Sequence, residues 1–390
     1  MTNNLIEACQ QIIRIPGESG EEKNVALFLM KLMKELNYDN VWIDEWGNVI
    51  GEIIGEGSYN LLFQGHMDTV GVEDEISWKY PPFGGIIQNG RLYGRGSSDM
   101  KSALVAMIFA GSKYISKKSD LKGNLFISGV VNEEIFEGEA QGKVLDQVHP
   151  DLVILGESSD LKLCIGQKGR AEIKIITHGK SAHSANPDKG INAVNNMFKL
   201  IKAMETIELP EQDFLGKAIL ELTDIISYPY PGRSIIPNQC HATFDRRLIA
   251  GENENDVIDP IYNEIKKLSS KDSTFDAEAT IVETEDKCYT GKILSAKRFF
   301  PGWFFKKEND FVQIARKALK ENGFSDHISF YSFCTDGSQS AGIRKIPTIG
   351  FGPSSEKIAH IKDEYIEISQ LESAYRGYNV LIEAFLSANQ

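Results

Sequence analysis

Apolar residues recur at helical spacing at the start of the chain, with Leu5, Cys9, Ile12 and Ile13 on one face. Pro16-Gly17 interrupts that pattern. Ser19 with Glu22 then reads as a capping box that opens a second helix through Val25, Phe28, Leu29, Leu32 and Leu36. Four short apolar runs bounded by polar residues or glycine follow, at 48–54, 61–64, 125–131 and 152–155, and their lengths suit buried strands. Helical stretches at 102–115 and 139–148 lie between them. Strands alternating with helices predict an α/β layered domain with a mainly parallel sheet. The middle of the chain changes character. Strand, helix, strand, helix and strand are expected at 171–177, 191–204, 240–248, 256–268 and 277–282. The tail returns to the earlier style, with a helix at 310–321, strands at 328–333 and 347–351, and a last helix at 369–387. The expected organisation is a small α+β domain, residues 169–285, inserted into a larger one made of residues 1–168 and 286–390.

Composition narrows the class. A chain of 390 residues suits two domains, and 42% apolar with 25% charged residues is ordinary for a globular protein. A net charge of −13 without a basic run argues against nucleic acid and anionic membranes as partners. No stretch approaches the roughly 18 apolar residues of a membrane span. The first residues lack the basic flank and apolar core of a signal peptide, so a cytoplasmic protein is expected. Cys9, Cys164, Cys240, Cys288 and Cys334 are scattered and read as reduced thiols.

The chemistry is carried by His, Asp and Glu placed near strand ends. His66-Met67-Asp68 follows the run 61–64 directly, which puts an imidazole and a carboxylate on one side of an extended chain. Asp99 sits in a Gly/Ser turn opening the helix at 102, Glu133-Glu134 ends the run 125–131, and Glu157 follows Leu152–Leu155 through Gly156. His360 lies beyond the strand ending at Phe351. Each has a plainer reading taken singly: a loop pair, a helix cap, a solvated acidic loop. As a set they are two histidines and several carboxylates at the carboxyl ends of strands, where open α/β sheets gather ligands. Such oxygen and nitrogen donors suit Zn²⁺, Co²⁺ or Mn²⁺, and one bridging carboxylate would make a site for two ions roughly 3.5–4 Å apart.

The ordered motifs Gly65-His66-Met67-Asp68-Thr69-Val70, Gly94-Arg95-Gly96 through Asp99-Met100-Lys101, Glu133-Glu134, Gly156-Glu157 and Gly179-Lys180-Ser181-Ala182-His183-Ser184 resemble the M20 metallopeptidases. That group includes acetylornithine deacetylase, succinyl-diaminopimelate desuccinylase, aminoacylase and carboxypeptidase G2. The resemblance implies that Asp99 bridges two metals, that His66 and Glu157 complete one, and that Glu134 and His360 complete the other. It implies Asp68 as the residue orienting His66, Glu133 as general base and a cis Asp99–Met100 peptide. It also makes the inserted domain a lid or dimerisation domain whose His183 reaches an active site, often the partner subunit's. The chemistry agrees: a carboxylate that is not a ligand must take a proton from water, and adjacent side chains such as Glu133 and Glu134 diverge.

Substrate groups follow from the same resemblance. Arg247 is expected to bind a substrate carboxylate, and Thr335-Asp336-Gly337-Ser338 resembles a substrate-carboxylate loop in which Thr335 and Gly337 make the contacts. Ser234-Ile235-Ile236-Pro237-Asn238 departs from the Asn-Ile-Ile-Pro pattern, so neither Ser234 nor Asn238 is assigned a role. The aromatic cluster from Phe299 to Phe305 is expected in the core or an interface, with Trp303 as an alternative wall of the acyl pocket. The expected activity is cleavage of an amide bond in a small N-acyl amino acid or short peptide, by a homodimer holding two divalent ions per chain, most simply Zn²⁺. Hydrolysis of an N-carbamoyl group and a non-catalytic binding role on the same scaffold are the alternatives.

Overall fold

The computed structural model describes residues 2–387. The chain divides into two compact units. One comprises the residues up to Gln167, Glu285–Ser295 and Trp303 onward; the other comprises Lys168–Thr284 and Ala296–Gly302.

The larger unit is built on a nine-stranded mixed sheet. Its centre is four parallel strands, side by side in the order Gly123–Val130, Tyr59–His66, Leu152–Leu155 and Thr348–Gly350. Antiparallel strands flank them, Val49–Ile53 and Asn40–Ile43 on one side and Leu163–Gln167 and Trp303–Phe304 on the other. Ile328–Tyr331 runs parallel to Leu163–Gln167. The central strands are apolar on both faces because helices cover them. Leu61, Leu62, Phe63, Leu125, Ile127, Val153 and Ile154 are all fully buried. The helix Lys101–Ser112 buries nearly its whole circumference, packing against Thr2–Ile13 and Ile368–Leu386. It therefore reads in sequence as a continuous apolar run, with no polar face.

The smaller unit is α+β. Its antiparallel sheet runs Ile219–Tyr228, Gln239–Leu248, Gly169–His178 and Asp276–Ile281, with Phe299–Phe300 also paired to Gly169–His178. The helices Ala193–Met204 and Glu254–Lys271 bury Met197, Leu200, Val257 and Ile261 in one core with Ile173, Ile175, Ala242 and Phe244. The strand Ile219–Tyr228 has no counterpart in the sequence reading. It is the edge strand, mostly exposed, with a register shift between Leu222 and Asp224 that breaks its alternation. All five cysteines are free and buried. Among the described residues no helix is long and apolar enough to cross a membrane.

Candidate metal centre

The parallel strands bring the chemistry together. Register pairs His66 with Val130 and Gln64 with Leu155, and Leu155 with Gly350, so neighbouring strands end at one edge of the sheet. The segments leaving those ends carry His66 and Asp68, Glu133 and Glu134, Glu157, and the turn with His360. Asp99 comes from the turn before Lys101–Ser112, where the Asp99–Met100 peptide is cis.

Asp99 lies between the two imidazoles. Its Oδ1 is 3.0 Å from His66 Nε2 and its Oδ2 is 3.0 Å from His360 Nε2. Glu134 is on the His360 side, at 3.0 Å from Nε2, and Glu157 on the His66 side, at 3.9 Å. Glu133 joins His66 and Glu157 in a second close grouping, so the adjacent carboxylates of Glu133 and Glu134 point to different members of the cluster. His66 Nδ1 lies 2.9 Å from the Asp68 carbonyl oxygen, to which it can donate, and this orients the ring so that Nε2 faces Asp99 at 3.0 Å.

The supports of these groups are buried. Glu364 pairs with Arg95 at 2.7 Å and accepts the N–H groups of Ser98 and Asp99 at 2.8 and 3.2 Å, fixing the turn that presents Asp99. Asp68 accepts the N–H groups of Glu133 and Glu134 at 3.2 and 3.1 Å as well as facing His66. Asp336 accepts the Gly138 N–H at 2.6 Å and a bond from the Gln64 amide, tying the end of the Glu133 loop to the strand that carries His66.

Several residues sit differently from the sequence expectation. Ser19 and Glu22 do not cap the helix Lys23–Glu35, whose N-terminus lacks a side-chain cap bond. Ser19 donates to Asp68 at 2.7 Å, and Glu22 accepts the Asn132 N–H at 3.0 Å. Buried carboxylates need donors more than an exposed helix end needs a cap, and the site took both residues. The Thr335 hydroxyl bonds to Gln167 and accepts the Gly337 N–H at 3.0 Å, so these expected substrate contacts satisfy each other in the interior. Arg247 pairs with Asp245 at 2.8 Å, and Asp245 is shared with Arg170 at 2.8 Å. Arg246 instead pairs with Glu252. His183 is on an exposed loop of the smaller unit. Trp303 is buried in a strand beside Gln167, which agrees with the core reading of its aromatic cluster. Glu364, Glu22 and Asp336 were missed as parts of the site. Glu364 follows His360 closely but belongs to no recognised motif, Glu22 was absorbed by a helix-cap pattern, and Asp336 by a substrate-loop pattern.

The electrostatics are those of a cation site. Burial pushes the Glu157 carboxyl up to about 8, against the opposing pull of His66, with Asp99 and Asp336 adding to the rise. Burial also raises Glu133 well above the usual range, again opposed by His66 and reinforced by Asp336, Glu157 and Glu134. Hydrogen bonds to Asp99 and Glu134 raise the His360 imidazole to about 10. Asp99, Glu133, Glu134 and Glu157 crowd two imidazoles, and divalent cations would relieve their mutual repulsion. Two groups of donors lie close enough to hold a cation, His66 with Glu133 and Glu157, and His66 with Asp99 and Glu134, and His360 faces Asp99 and Glu134 beside the second. A cleft of about 670 Å³ opens beside His360, walled in part by Glu18, Val70, Trp78 and Arg95.

Comparison with known proteins places the chain. Residues 62–384 match Peptidase family M20/M25/M40. The "Uncharacterized protein YgeY" of Escherichia coli K12 is 29% identical over 383 residues, covering 97% of this chain and 93% of that protein. Acetylornithine deacetylase of Buchnera aphidicola is 28% identical over 405 residues, covering 98% of each. Among solved structures, a Bacillus subtilis protein described as a dinuclear metal binding peptidase from the M20 family superposes with a TM-score of 0.72. It is 14% identical over 98% of this chain and 97% of its own, a likeness of fold. The chain belongs to peptidase family M20/M25/M40 and is a hydrolase of that family.

Proposed function

We propose that this protein hydrolyses the amide bond of a small N-acyl amino acid or short peptide, with Glu133 as general base. The observation that carries the reading is Asp99 set between His66 and His360, 3.0 Å from each, with Glu133 buried beside His66 and Glu157. His66, Asp99 and Glu157 would hold one divalent ion, and His360, Asp99 and Glu134 the other; Zn²⁺ fits the donors, as do Co²⁺ and Mn²⁺. When bound, two such ions supply Lewis acidity toward an amide carbonyl and bring the pKa of a water toward neutrality. Glu133 takes a proton at its carboxylate and returns it to the leaving amine. Its place supports this role, since the carboxylate is buried against His66 and Glu157 at the edge of the cluster. Asp68 holds the His66 tautomer and the amides of the Glu133 turn.

His183 is assigned to the oxyanion. Its Nδ1 accepts the Ala185 N–H at 3.1 Å, which leaves Nε2 as the protonated donor of a neutral imidazole. In a homodimer that donor would serve either its own chain or its partner. Arg247 is the group proposed to take the substrate carboxylate. Its guanidinium pairs with Asp245, which Arg170 also holds, and a planar fork of donors suits bidentate binding of a carboxylate.

The test is a screen of the Zn²⁺- and Co²⁺-loaded protein against N-acetyl, N-succinyl and N-carbamoyl amino acids and dipeptides. Turnover of an N-acyl or dipeptide substrate, abolished by a chelator and restored by the metal, is the expected result. Turnover confined to N-carbamoyl substrates contradicts the amide reading, and turnover unaffected by chelation contradicts the metal reading.

A further inference from the structure

The turn that projects Glu133 is held by its backbone. Asn132 is left-handed, with φ of 53°, a conformation uncommon outside glycine though tolerated by Asn. Its N–H points to Glu22 Oε1 at 3.0 Å, and the next two N–H groups, of Glu133 and Glu134, point to the two oxygens of Asp68. Three consecutive amides therefore converge on two carboxylates. The Asn132 side chain is anchored as well, donating to Cys288 Sγ at 3.5 Å.

Both carboxylates are fully buried, and both depend on the short segment before the helix Lys23–Glu35. Ser19 donates to Asp68, and the Gly20 N–H donates to Glu22 Oε1 at 2.9 Å, which preorients the same oxygen that receives the Asn132 amide. The other oxygen of Glu22 is buried without a hydrogen-bond partner among the described residues. A buried carboxylate that uses one oxygen for two backbone donors and leaves the second bare is acting as a fixed acceptor.

We propose that Glu22 is a positioning residue for the general base, fixing through one oxygen the left-handed Asn132 turn from which Glu133 is projected. Glu22 touches no reacting atom. It acts through the Asn132 amide, and it rests on the assignment of Glu133 as base. The N-terminal segment Ser19–Glu22 thereby supports the turn that carries the base from a place in the chain remote from every ligand.

The role is separable from a general need for a carboxylate because reach and charge can be changed independently. Glu22→Gln keeps the carbonyl oxygen in place and removes the charge. Glu22→Asp keeps the charge and withdraws the oxygen by one methylene. Glu22→Leu removes the acceptor. Each is compared with wild type for kcat and KM on the best substrate of the N-acyl and dipeptide panel, for bound metal per chain, and for amide hydrogen exchange of residues 132–134. The expected order of kcat is wild type close to Glu22→Gln, with Glu22→Asp and Glu22→Leu lower by about 10- to 100-fold. KM and the two bound ions should be unchanged, and exchange at 132–134 should accelerate only in the Asp and Leu variants. Wild-type kcat in Glu22→Leu overturns the proposal, and so does a fall in Glu22→Gln as large as in Glu22→Leu. Loss of metal in Glu22→Asp also overturns it, since Glu22 would then serve ligand Glu134. If neither Glu22→Asp nor Glu22→Leu folds, Glu22 is a folding residue and the assignment fails. Hydrogen exchange needs no substrate. An inactive wild type with the expected exchange pattern would contradict the proposed activity on N-acyl and dipeptide substrates while leaving the Glu22 contact standing.

Discussion

Replacing the Glu133 carboxylate by an amide keeps its shape and removes its basicity. Glu133→Gln should retain both ions and lower kcat by roughly 10²- to 10⁴-fold, measured by metal analysis and steady-state kinetics. Loss of metal in that variant would mean that the roles of Glu133 and Glu134 are reversed. Asp99 offers the complementary test: Asp99→Ala removes the carboxylate that faces both imidazoles and should lose both ions, whereas His66→Ala should weaken one preferentially. At this scale the sequence shows which residues have ligand chemistry, because His66, Glu133, Glu134 and Glu157 directly follow apolar runs. It does not show what steadies them. Ser19 and Glu22 match a helix-cap pattern, and their true partners, Asp68 and Asn132, are 49 and 110 positions away. Asp336 likewise sits in a motif that reads as a substrate loop, while its carboxylate faces inward to Gln64 and Gly138. Long-range hydrogen bonds of this kind leave no periodicity to read.

At the level of elements, the buried strands and amphipathic helices were legible because burial on one or both faces dictates their apolar spacing. The helix Glu139–Val148 and the strand Leu152–Leu155 fall where the pattern puts them. The edge strand Ile219–Tyr228 was not legible, since exposure removes the pressure for apolar residues and its bulge shifts the period. The smaller unit supplies two stability tests. Asn253 accepts the N–H groups of Asn255 and Asp256, and Asp256 answers the Asn253 N–H, a complete capping box on Glu254–Lys271. Asn253→Ala should cost about 1 kcal/mol, read by denaturant unfolding, and an unchanged midpoint would contradict the cap. The second test is Asp272, which accepts from Lys199 Nζ at 2.8 Å and from the Thr274 hydroxyl and N–H at 2.6 and 2.9 Å. These bonds hold its carboxyl below the usual range. The folded-state pKa is therefore lower than the unfolded one, so the stabilisation is complete above about pH 4 and is lost as pH falls through the folded value. Asp272→Asn should melt below wild type at pH 7, and the gap should close in acid. A gap independent of pH would contradict the electrostatic account.

For the whole molecule, the expected inserted domain, residues 169–285, and the observed smaller unit differ by one residue at each end and by one further segment. Ala296–Gly302 groups with the smaller unit, because Phe299–Phe300 pairs with Gly169–His178. A return crossing of that length is set by strand pairing, which a linear pattern does not reveal. Subunit organisation is tested by complementation. His183→Ala and Glu133→Gln proteins, each inactive, are mixed under conditions that exchange subunits. If His183 serves the partner's site, activity should return to roughly a quarter of wild type, since about half of the dimers are mixed and one of their two sites is intact. No recovery after demonstrated exchange places His183 in its own chain's site or outside catalysis. The central claim is that the strand ends assemble a site for two ions around Asp99. Anomalous diffraction from crystals of the Zn²⁺-loaded protein measures this most directly. The account predicts two peaks flanking the Asp99 carboxylate, one next to His66 and Glu157 and the other next to His360 and Glu134; a single peak, or peaks away from Asp99, would contradict it.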